Sequence, residues 1–200
     1  VSEEGDKPIQ NKAATFWLVD PLDGTRSFVA RDDEFTVNIG LIQAQHPTLG
    51  VMMIPATGEC YAGIVGKEAW KITLPLGKNV SLMEVEAAEQ KPIRVRKASE
   101  HAIDIVTSKS HKSPALDRWL EAHHIKVRHR VKAGSALKLA RVAEGAADMY
   151  PRLGNTMEWD TAAGHAILLA AGGSLMMLDG EPFLYTKEGF LNEGFVAKGG

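Results

Sequence analysis

An acidic turn directly after an apolar run constrains this sequence most. Residues 16–19 are apolar and typical of a strand, and the segment Asp-Pro-Leu-Asp-Gly-Thr follows them at residues 20–25. Mg²⁺ and similar divalent cations prefer oxygen ligands, so a strand that ends in Asp20 and Asp23 favours a cation site. Asp, Pro and Gly are also turn formers, and an ordinary acidic surface turn is the alternative that these residues alone leave open.

Two further acidic segments lie at opposite ends of the chain. Asp160 precedes a small-residue apolar segment, residues 162–171, which two glycines end. This pattern predicts a helix with Asp160 as its N-cap, and a plain capping role is the alternative to metal binding. Glu3 and Glu4 lie at the start of the chain, where a disordered charged terminus is the alternative.

Taken together, the three segments resemble the inositol monophosphatase-like phosphatases, a superfamily of metal-dependent enzymes. Its metal-binding acids come from a Glu-Glu segment, an Asp-Pro-x-Asp-Gly-Thr turn and a Trp-Asp helix start, which are present here at residues 3–4, 20–25 and 159–160. The resemblance runs from Val1 to about Phe195. Within the superfamily, residues 31–42, the Tyr-Pro-Arg segment at residues 150–152 and residues 159–173 are similar to the bacterial 3'(2'),5'-bisphosphate nucleotidases.

The resemblance also predicts the fold. It implies an α/β (α+β) chain folded as a layered α-β-α-β-α sandwich that lacks the N-terminal helices of the superfamily, so that one sheet face lies bare. Short strand patterns before residue 74 predict an antiparallel sheet, and alternating strands and helices after residue 102 predict an α/β half. We therefore predict a metal-binding half at residues 1–90 and a half with substrate-binding segments at residues 91–200, with a loop at residues 74–98 between them.

The individual strands and helices follow from the pattern of apolar and turn residues. Strands are predicted at residues 16–19, 35–42, 49–54, 60–65, 69–73, 103–107, 125–128, 148–150 and 174–178, and helices at residues 114–123, 135–144 and 161–171. Ser135 is the predicted N-cap of its helix, and the start of the last helix, at Thr161, is a predicted anion site.

The resemblance implies a role for each acid in a site of two or three Mg²⁺ ions. Asp20 would bridge two ions, Asp23 and Asp160 would bind one of them, and Glu3 with the backbone carbonyl of Leu22 would bind the other. Asp20, Asp23 and Thr25 are the predicted catalytic residues. The Thr-x-x-Asp segment that supplies a further carboxylate in the superfamily does not occur in these 200 residues. The predicted substrate-binding residues are Glu3, Leu22, Asp23, Gly24, Thr25, His111, Ser135, Lys138, Arg152 and Asp160.

Lys138 and Arg152 favour a substrate with a second phosphate, because a remote phosphate needs cationic partners. The resemblance therefore predicts Mg²⁺-dependent hydrolysis of adenosine 3',5'-bisphosphate to AMP and phosphate, with a role in sulfur assimilation. An inositol or sugar monophosphatase is one alternative, for which these cations would have no second phosphate to bind. A non-catalytic fragment that binds metal or nucleotide is the other alternative.

Composition limits the partners of the chain. It is 44% hydrophobic and 24% charged, with a formal net charge of −2, which does not favour a protein that coats nucleic acid. No apolar run is long enough for a membrane-spanning helix, and no secretory signal opens the chain. The single cysteine, Cys60, suits a reducing compartment. We expect a cytoplasmic monomer or homodimer that binds a small phosphorylated nucleotide, with peripheral association at the inner membrane left open.

Overall fold

The first half of the chain forms a six-stranded antiparallel sheet whose strands follow one another in sequence order. The structure is a computed structural model and describes residues 1–5, 14–77, 79–109 and 113–200. Two short helices, α1 and α2, accompany this sheet. The elements are β1 (Thr15–Asp23), α1 (Thr25–Val29), β2 (Thr36–Gln43), β3 (His46–Ile54), β4 (Glu59–Ile64), β5 (Ala69–Thr73), α2 (Leu82–Ala87) and β6 (Lys91–Ile93).

The second half forms a five-stranded sheet with the order β11-β13-β9-β7-β8, in which β7 is parallel to both of its neighbours and the other pairs are antiparallel. A two-stranded ribbon of β10 and β12 lies apart from this sheet. The elements are β7 (Ile103–Ser108), α3 (Pro114–Ala122), β8 (Val127–Ala133), α4 (Leu137–Ala143), β9 (Met149–Arg152), β10 (Thr156–Met157), α5 (Glu158–Ala170), β11 (Ser174–Met177), a 3₁₀ turn (Glu188–Phe190), β12 (Leu191–Asn192) and β13 (Phe195–Lys198).

Helices α4 and α5 lie between the two sheets. Helix α5 packs on β1 to β5 of the first sheet and on β11 of the second, and α4 packs on α5 and on β7, β8, β9 and β13. The main core joins Met52 of the first sheet, Leu139 and Ile167 of these helices, and Phe195 of the second sheet. Helix α3 covers the other face of the second sheet through Leu116 and its neighbours. The predicted layered α/β architecture is confirmed.

Small residues let α5 approach the first sheet closely. A side-chain carbon at Gly50 would lie 2.2 Å from the backbone oxygen of Ala163, and one at Gly40 would lie 2.6 Å from the side chain of Ala162. Neither the sheet nor the helix could keep its place if these glycines carried side chains. The contact matters for function because it brings the beginning of α5 to β1, the strand that carries Asp20 and Asp23.

The outer face of the first sheet is apolar and partly exposed among the described residues. Alternation along β1 and β2 turns Leu18 and Ile42 toward α5 and turns Trp17 and Ile39 outward, where they are 47% and 37% exposed. The prediction that one sheet face lies bare is confirmed for these side chains.

No helix in the described part of the chain is both long enough and apolar enough to cross a membrane.

Several predicted boundaries are wrong. The predicted loop at residues 74–98 contains α2, which begins with a capping box between Ser81 and Glu84, and β6. Strand β8 runs over residues 127–133 instead of 125–128, and strands β10, β12 and β13 were not predicted. The division at residue 90 stays a prediction, although β6, just beyond that boundary, pairs with β5 of the first sheet.

Candidate active site

Asp20 and Asp23 come together because β1 is irregular between them. Successive side chains of a regular strand alternate between its faces, so an odd spacing of three would put these acids on opposite sides. The pairing of β1 with β2 shifts register between Asp20 and Asp23, and this local irregularity turns both carboxylates to the same side. Carboxylate oxygens of Asp20, Asp23 and Asp160 all lie within 4.8 Å of one another.

Asp160 reaches this cluster from the first turn of α5. The helix begins at Glu158, three residues earlier than predicted, so Asp160 is not the N-cap, and Met157 occupies that position. The Asp160 carboxylate instead accepts a hydrogen bond from the backbone N–H of Met157 at 2.8 Å. Because α5 begins at Glu158, its first N–H groups lie before Thr161, and an anion site at this helix start stays a prediction.

Glu158, which the sequence analysis did not single out, anchors the start of α5. Its side chain is completely buried, and one carboxylate oxygen accepts a hydrogen bond from the backbone N–H of Lys187 at 2.8 Å. The ammonium of Lys187 lies 3.8 Å from the same oxygen. Thr161 and Asn192 form a hydrogen bond nearby at 3.1 Å. These contacts tie the helix turn that carries Asp160 to the chain segment before β12.

The carboxylate of Asp20 is the most deeply buried of the cluster, with an exposure of 1%. One oxygen accepts a hydrogen bond from the backbone N–H of Leu22 at 2.9 Å, and the other has no hydrogen-bond partner among the described residues. Burial, and next the charge of Asp23, raise the pKa of Asp20 to about 8. Burial likewise raises the pKa of Asp160 to about 6. A cation among these oxygens would offset both effects.

Asp23 is held by two groups that the sequence analysis missed. Its carboxylate accepts hydrogen bonds from the Thr36 hydroxyl at 3.4 Å and from the backbone N–H of Ala136 at 2.5 Å. Burial raises the pKa of Asp23 in spite of these bonds. Thr36 lies opposite Asp23 in the pairing of β1 and β2. A correct prediction of this strand pairing would therefore have identified Thr36 as a neighbour of Asp23. No sequence signal points to Ala136, because its contact joins segments 113 residues apart.

The turn after Asp23 places Gly24 against Ser135. Gly24 has φ of +86°, which favours glycine, and a side-chain carbon there would lie 2.0 Å from the Ser135 hydroxyl oxygen. The hydroxyl of Thr25 donates to the backbone carbonyl of Leu22 at 3.5 Å, so these two predicted site residues meet within one turn. The turn therefore fits only a residue without a side chain at its centre.

The first residues of the chain lie alongside β1. Ser2 forms a parallel bridge with Val19, and the backbone N–H of Glu3 donates to the Val19 carbonyl at 3.2 Å. The carboxylate of Glu3 is not one of the three gathered acids, but its charge contributes to the raised pKa of Asp20 and of Asp160. Glu3 is thus near the cluster without belonging to it, and the alternative of a disordered terminus is wrong for residues 1–5.

Lys138, in the first turn of α4, and Ser135, in the turn before α4, border the acidic cluster. The ammonium of Lys138 is buried and donates to the Ser135 carbonyl at 2.6 Å. Burial lowers the pKa of Lys138 to about 8, although the charge of Asp23 opposes this shift. The hydroxyl of Ser135 lies 3.0 Å from the Glu34 carbonyl, to which it donates, and α4 begins at Leu137, so Ser135 is not the predicted N-cap.

Three clefts meet around these side chains. Arg152 donates to the carbonyls of Gly154 and Asn155 at 3.2 and 3.1 Å, and it borders a narrow cleft of about 110 Å³ together with Lys138 and Asp160. A second cleft, of about 330 Å³, also contains Lys138 and Arg152. The third, of about 570 Å³, is lined by Asp23, Gly24, Thr25, Ser135 and Lys138, and by Arg26, Lys109 and Asp32, which were not predicted site residues. His111 lies outside the described residues.

The donor set of the cluster suits a hard divalent cation. The three gathered side chains offer carboxylate oxygens and no sulfur or nitrogen, as Mg²⁺, Mn²⁺ and Ca²⁺ prefer. The oxygen of Asp20 that lacks a partner is buried, and a buried charged oxygen without a compensating contact is costly. Both observations fit a metal site in which Asp20, Asp23 and Asp160 are the ligands.

Known proteins resemble this chain along nearly its whole length. The 3'(2'),5'-bisphosphate nucleotidase CysQ of Escherichia coli strain K12 is 41% identical over 199 residues, which are 98% of this chain and 74% of that protein. The CysQ of Haemophilus influenzae is 32% identical over 185 residues, or 92% of this chain and 64% of that protein.

Solved structures resemble it as well. The crystal structure of CysQ from Bacteroides thetaiotaomicron, 38% identical, superposes with a TM-score of 0.85 over 100% of this chain and 76% of that chain. An inositol monophosphatase from Anabaena, 27% identical, has a TM-score of 0.75 and covers 100% of this chain and 73% of that one. Residues 1–198 match the inositol monophosphatase family. The chain belongs to the inositol monophosphatase family.

Proposed function

We propose that this protein is a Mg²⁺-dependent 3'(2'),5'-bisphosphate nucleotidase that hydrolyses adenosine 3',5'-bisphosphate to AMP and phosphate. Its similarity to bacterial proteins of that name supports the reaction and the substrate. Removal of this bisphosphate, a by-product of sulfate transfer, would give the protein a role in sulfur assimilation. Each of these steps rests on the family and on the arrangement of the residues.

One observation carries the proposal: three carboxylates within 4.8 Å of one another lie beside two cationic side chains. The acids alone would suit any phosphatase of the family. Lys138 and Arg152 lie in the same narrow cleft as Asp160, where they can bind a phosphate other than the one that is cleaved. The combination favours a substrate with two phosphates over inositol phosphate or a sugar phosphate.

The residues of the site have separate proposed roles in metal binding, water orientation and phosphate binding. Asp20, Asp23 and Asp160 would hold the cations, with Glu3 and the Leu22 carbonyl as the proposed additional ligands. Mg²⁺, when bound there, would supply positive charge that favours attack of a water molecule on the phosphate. Thr25 would orient the attacking water, and the backbone N–H groups of Gly24 and Thr25 are the proposed donors to the phosphate oxygens. Lys138 presents a buried ammonium, and Arg152 a planar guanidinium, to the second phosphate.

Phosphate release tests the proposal directly. We expect turnover of adenosine 3',5'-bisphosphate in the presence of Mg²⁺, slower turnover of inositol 1-phosphate, and none without a divalent cation. The variants Lys138→Met and Arg152→Met should reduce the ratio of the two turnover rates, because the second phosphate of the bisphosphate then loses a cationic partner. Faster turnover of inositol 1-phosphate would identify an inositol monophosphatase. Mg²⁺ binding without turnover of either compound would indicate a binding protein.

A further inference from the structure

Asn38 is a buried polar residue next to the acidic cluster that no part of the proposed reaction uses. It lies on β2 with an exposure of 1%. Neither the nitrogen nor the oxygen of its side-chain amide has a hydrogen-bond partner among the described residues. A buried amide without partners has given up its hydrogen bonds to water and gained none in the protein, which destabilises the fold. A residue with this cost in the middle of a sheet calls for a functional explanation.

The position of Asn38 connects it to Asp20. The two residues face each other in the antiparallel pairing of β1 and β2, and alternation turns both toward α5. Side chains that lie directly opposite each other have Cβ atoms about 5 Å apart, which is within reach of an amide. On its other side, Asn38 faces Met52 of β3, which is a poor hydrogen-bond partner. Asp20 is therefore the polar side chain beside Asn38 in this row of the sheet.

Asp20 has a matching unpaired atom. The second oxygen of its carboxylate is buried and without a partner, although its first oxygen accepts the N–H of Leu22. A carboxylate only accepts hydrogen bonds, and the amide nitrogen of Asn38 offers two donors. The two unpaired groups thus have complementary chemistry and lie on adjacent strands.

We propose that Asn38 is a positioning residue for Asp20: its amide donates a hydrogen bond to the Asp20 carboxylate when this carboxylate binds a divalent cation. This inference rests on the proposed metal site. Hydrogen bonds from neighbouring groups orient the side chains that bind a metal, and removing such a group typically lowers metal affinity by about 10–100-fold. Asn38 would act on the cation only through Asp20.

The substitution Asn38→Leu distinguishes this role from a packing role, because leucine is similar in size and carries no polar atom. In the absence of metal, the variant should melt at the same temperature as the original protein or higher, since two unpaired polar groups are removed. Isothermal titration with Mg²⁺, without substrate, should show about tenfold weaker binding. The Mg²⁺ concentration for half-maximal turnover should rise by the same factor. Met52→Leu, in the same row, is the matched control and should leave Mg²⁺ affinity unchanged.

A second pair of variants covers the case in which Asn38→Leu does not fold. Asn38→Thr and Asn38→Val have the same shape, suit a strand, and differ by one hydroxyl donor. We expect the threonine variant to bind Mg²⁺ more tightly than the valine variant. Equal affinities in this pair, or original affinity in a folded Asn38→Leu variant, would overturn the role of Asn38 alone. Absence of Mg²⁺ binding by the original protein would overturn the proposed metal site together with it.

Discussion

Two groups of acidic residues in this protein have opposite surroundings. Asp20, Asp23 and Asp160 lie together, no cationic side chain in the described part of the chain bonds to any of them, and burial raises the pKa of each. Asp104, in β7 of the second sheet, and Asp148, just before β9, instead accept hydrogen bonds from arginine side chains. Arg96 bonds both of them at 2.6 to 2.9 Å, and Arg128 bonds Asp104 at 2.7 and 2.9 Å.

The difference separates a functional cluster from a structural one. Hydrogen bonds from Arg128, and next from Arg96, hold the pKa of Asp104 well below its usual range in spite of burial. Burial would raise the pKa of Asp148, but its bonds to Arg96 and to the N–H of Asp104 outweigh burial and lower it. The negative charges of the second group are balanced by arginine side chains of the same chain. The acids of the first group have no such partner among the described residues, and a bound metal ion would supply the positive charge.

The largest expected effect is the loss of turnover in Asp20→Asn. Removing a central metal ligand should lower the rate by about 10³-fold or more, because the charge stabilisation by the metal is worth several kcal/mol. The metal-free variant should be at least as stable as the original, because asparagine removes the cost of protonating or ionising this buried carboxyl group. Phosphate release and thermal melting measure both. Near-normal turnover would contradict the assignment of Asp20 to the metal site.

Added Mg²⁺ should stabilise the protein through the first group and not through the second. At about 100 times its dissociation constant, a ligand adds about 2.7 kcal/mol to the free energy of unfolding. Urea unfolding with and without Mg²⁺ measures this gain, which should disappear in Asp20→Asn and persist in Asp148→Asn. The same gain in both variants would mean that Mg²⁺ binds elsewhere.

Asp148→Asn should destabilise the fold by about 2 kcal/mol, because it leaves charge-assisted hydrogen bonds of Arg96 unmade. The carboxylate of Asp148 accepts hydrogen bonds from several donors, including the backbone N–H of Asp104. The NH₂ group of an asparagine side chain would face one of these donors and could not accept its hydrogen bond. Urea unfolding measures the loss, and turnover per folded molecule should remain. An unchanged unfolding midpoint would show that the Arg96 bonds do not contribute to stability.

The pH dependence of metal-free stability should have opposite signs for the two groups. The pKa of Asp20 is raised from 3.8 to about 8 on folding, so its charge opposes folding and the free energy of unfolding should fall as pH rises from about 4 to about 8. The pKa values of Asp104 and Asp148 are lowered, so their contribution is present above about pH 4 and is lost on acidification below it. Urea unfolding along a pH series tests both signs, and Asp20→Asn should flatten the first slope. A flat profile from pH 4 to pH 8 in the original protein would contradict the raised pKa.

Local patterns predicted the elements better than their contacts. The helix after Asp160 was predicted from its small apolar residues, but its start at Glu158 depends on buried bonds to Lys187, a residue 29 positions away. Asp20 and Asp23 were recognised from their motif, whereas Thr36 and Ala136, which hold Asp23, were missed. The sequence around Thr36 or Ala136 contains no motif that would indicate a contact with a distant residue such as Asp23.

The sequence by itself determined the residue types of the site: oxygen-bearing acids in three segments, a glycine turn and two cations in the second half. It also determined the alternation that makes the strands amphipathic. Only the tertiary structure decided that Asp160 lies within 4.8 Å of Asp20 and Asp23, because this proximity depends on the glycines that let α5 approach the sheet. It also decided which acids are neutralised, since charge balance depends on distances through space and not on distances along the chain.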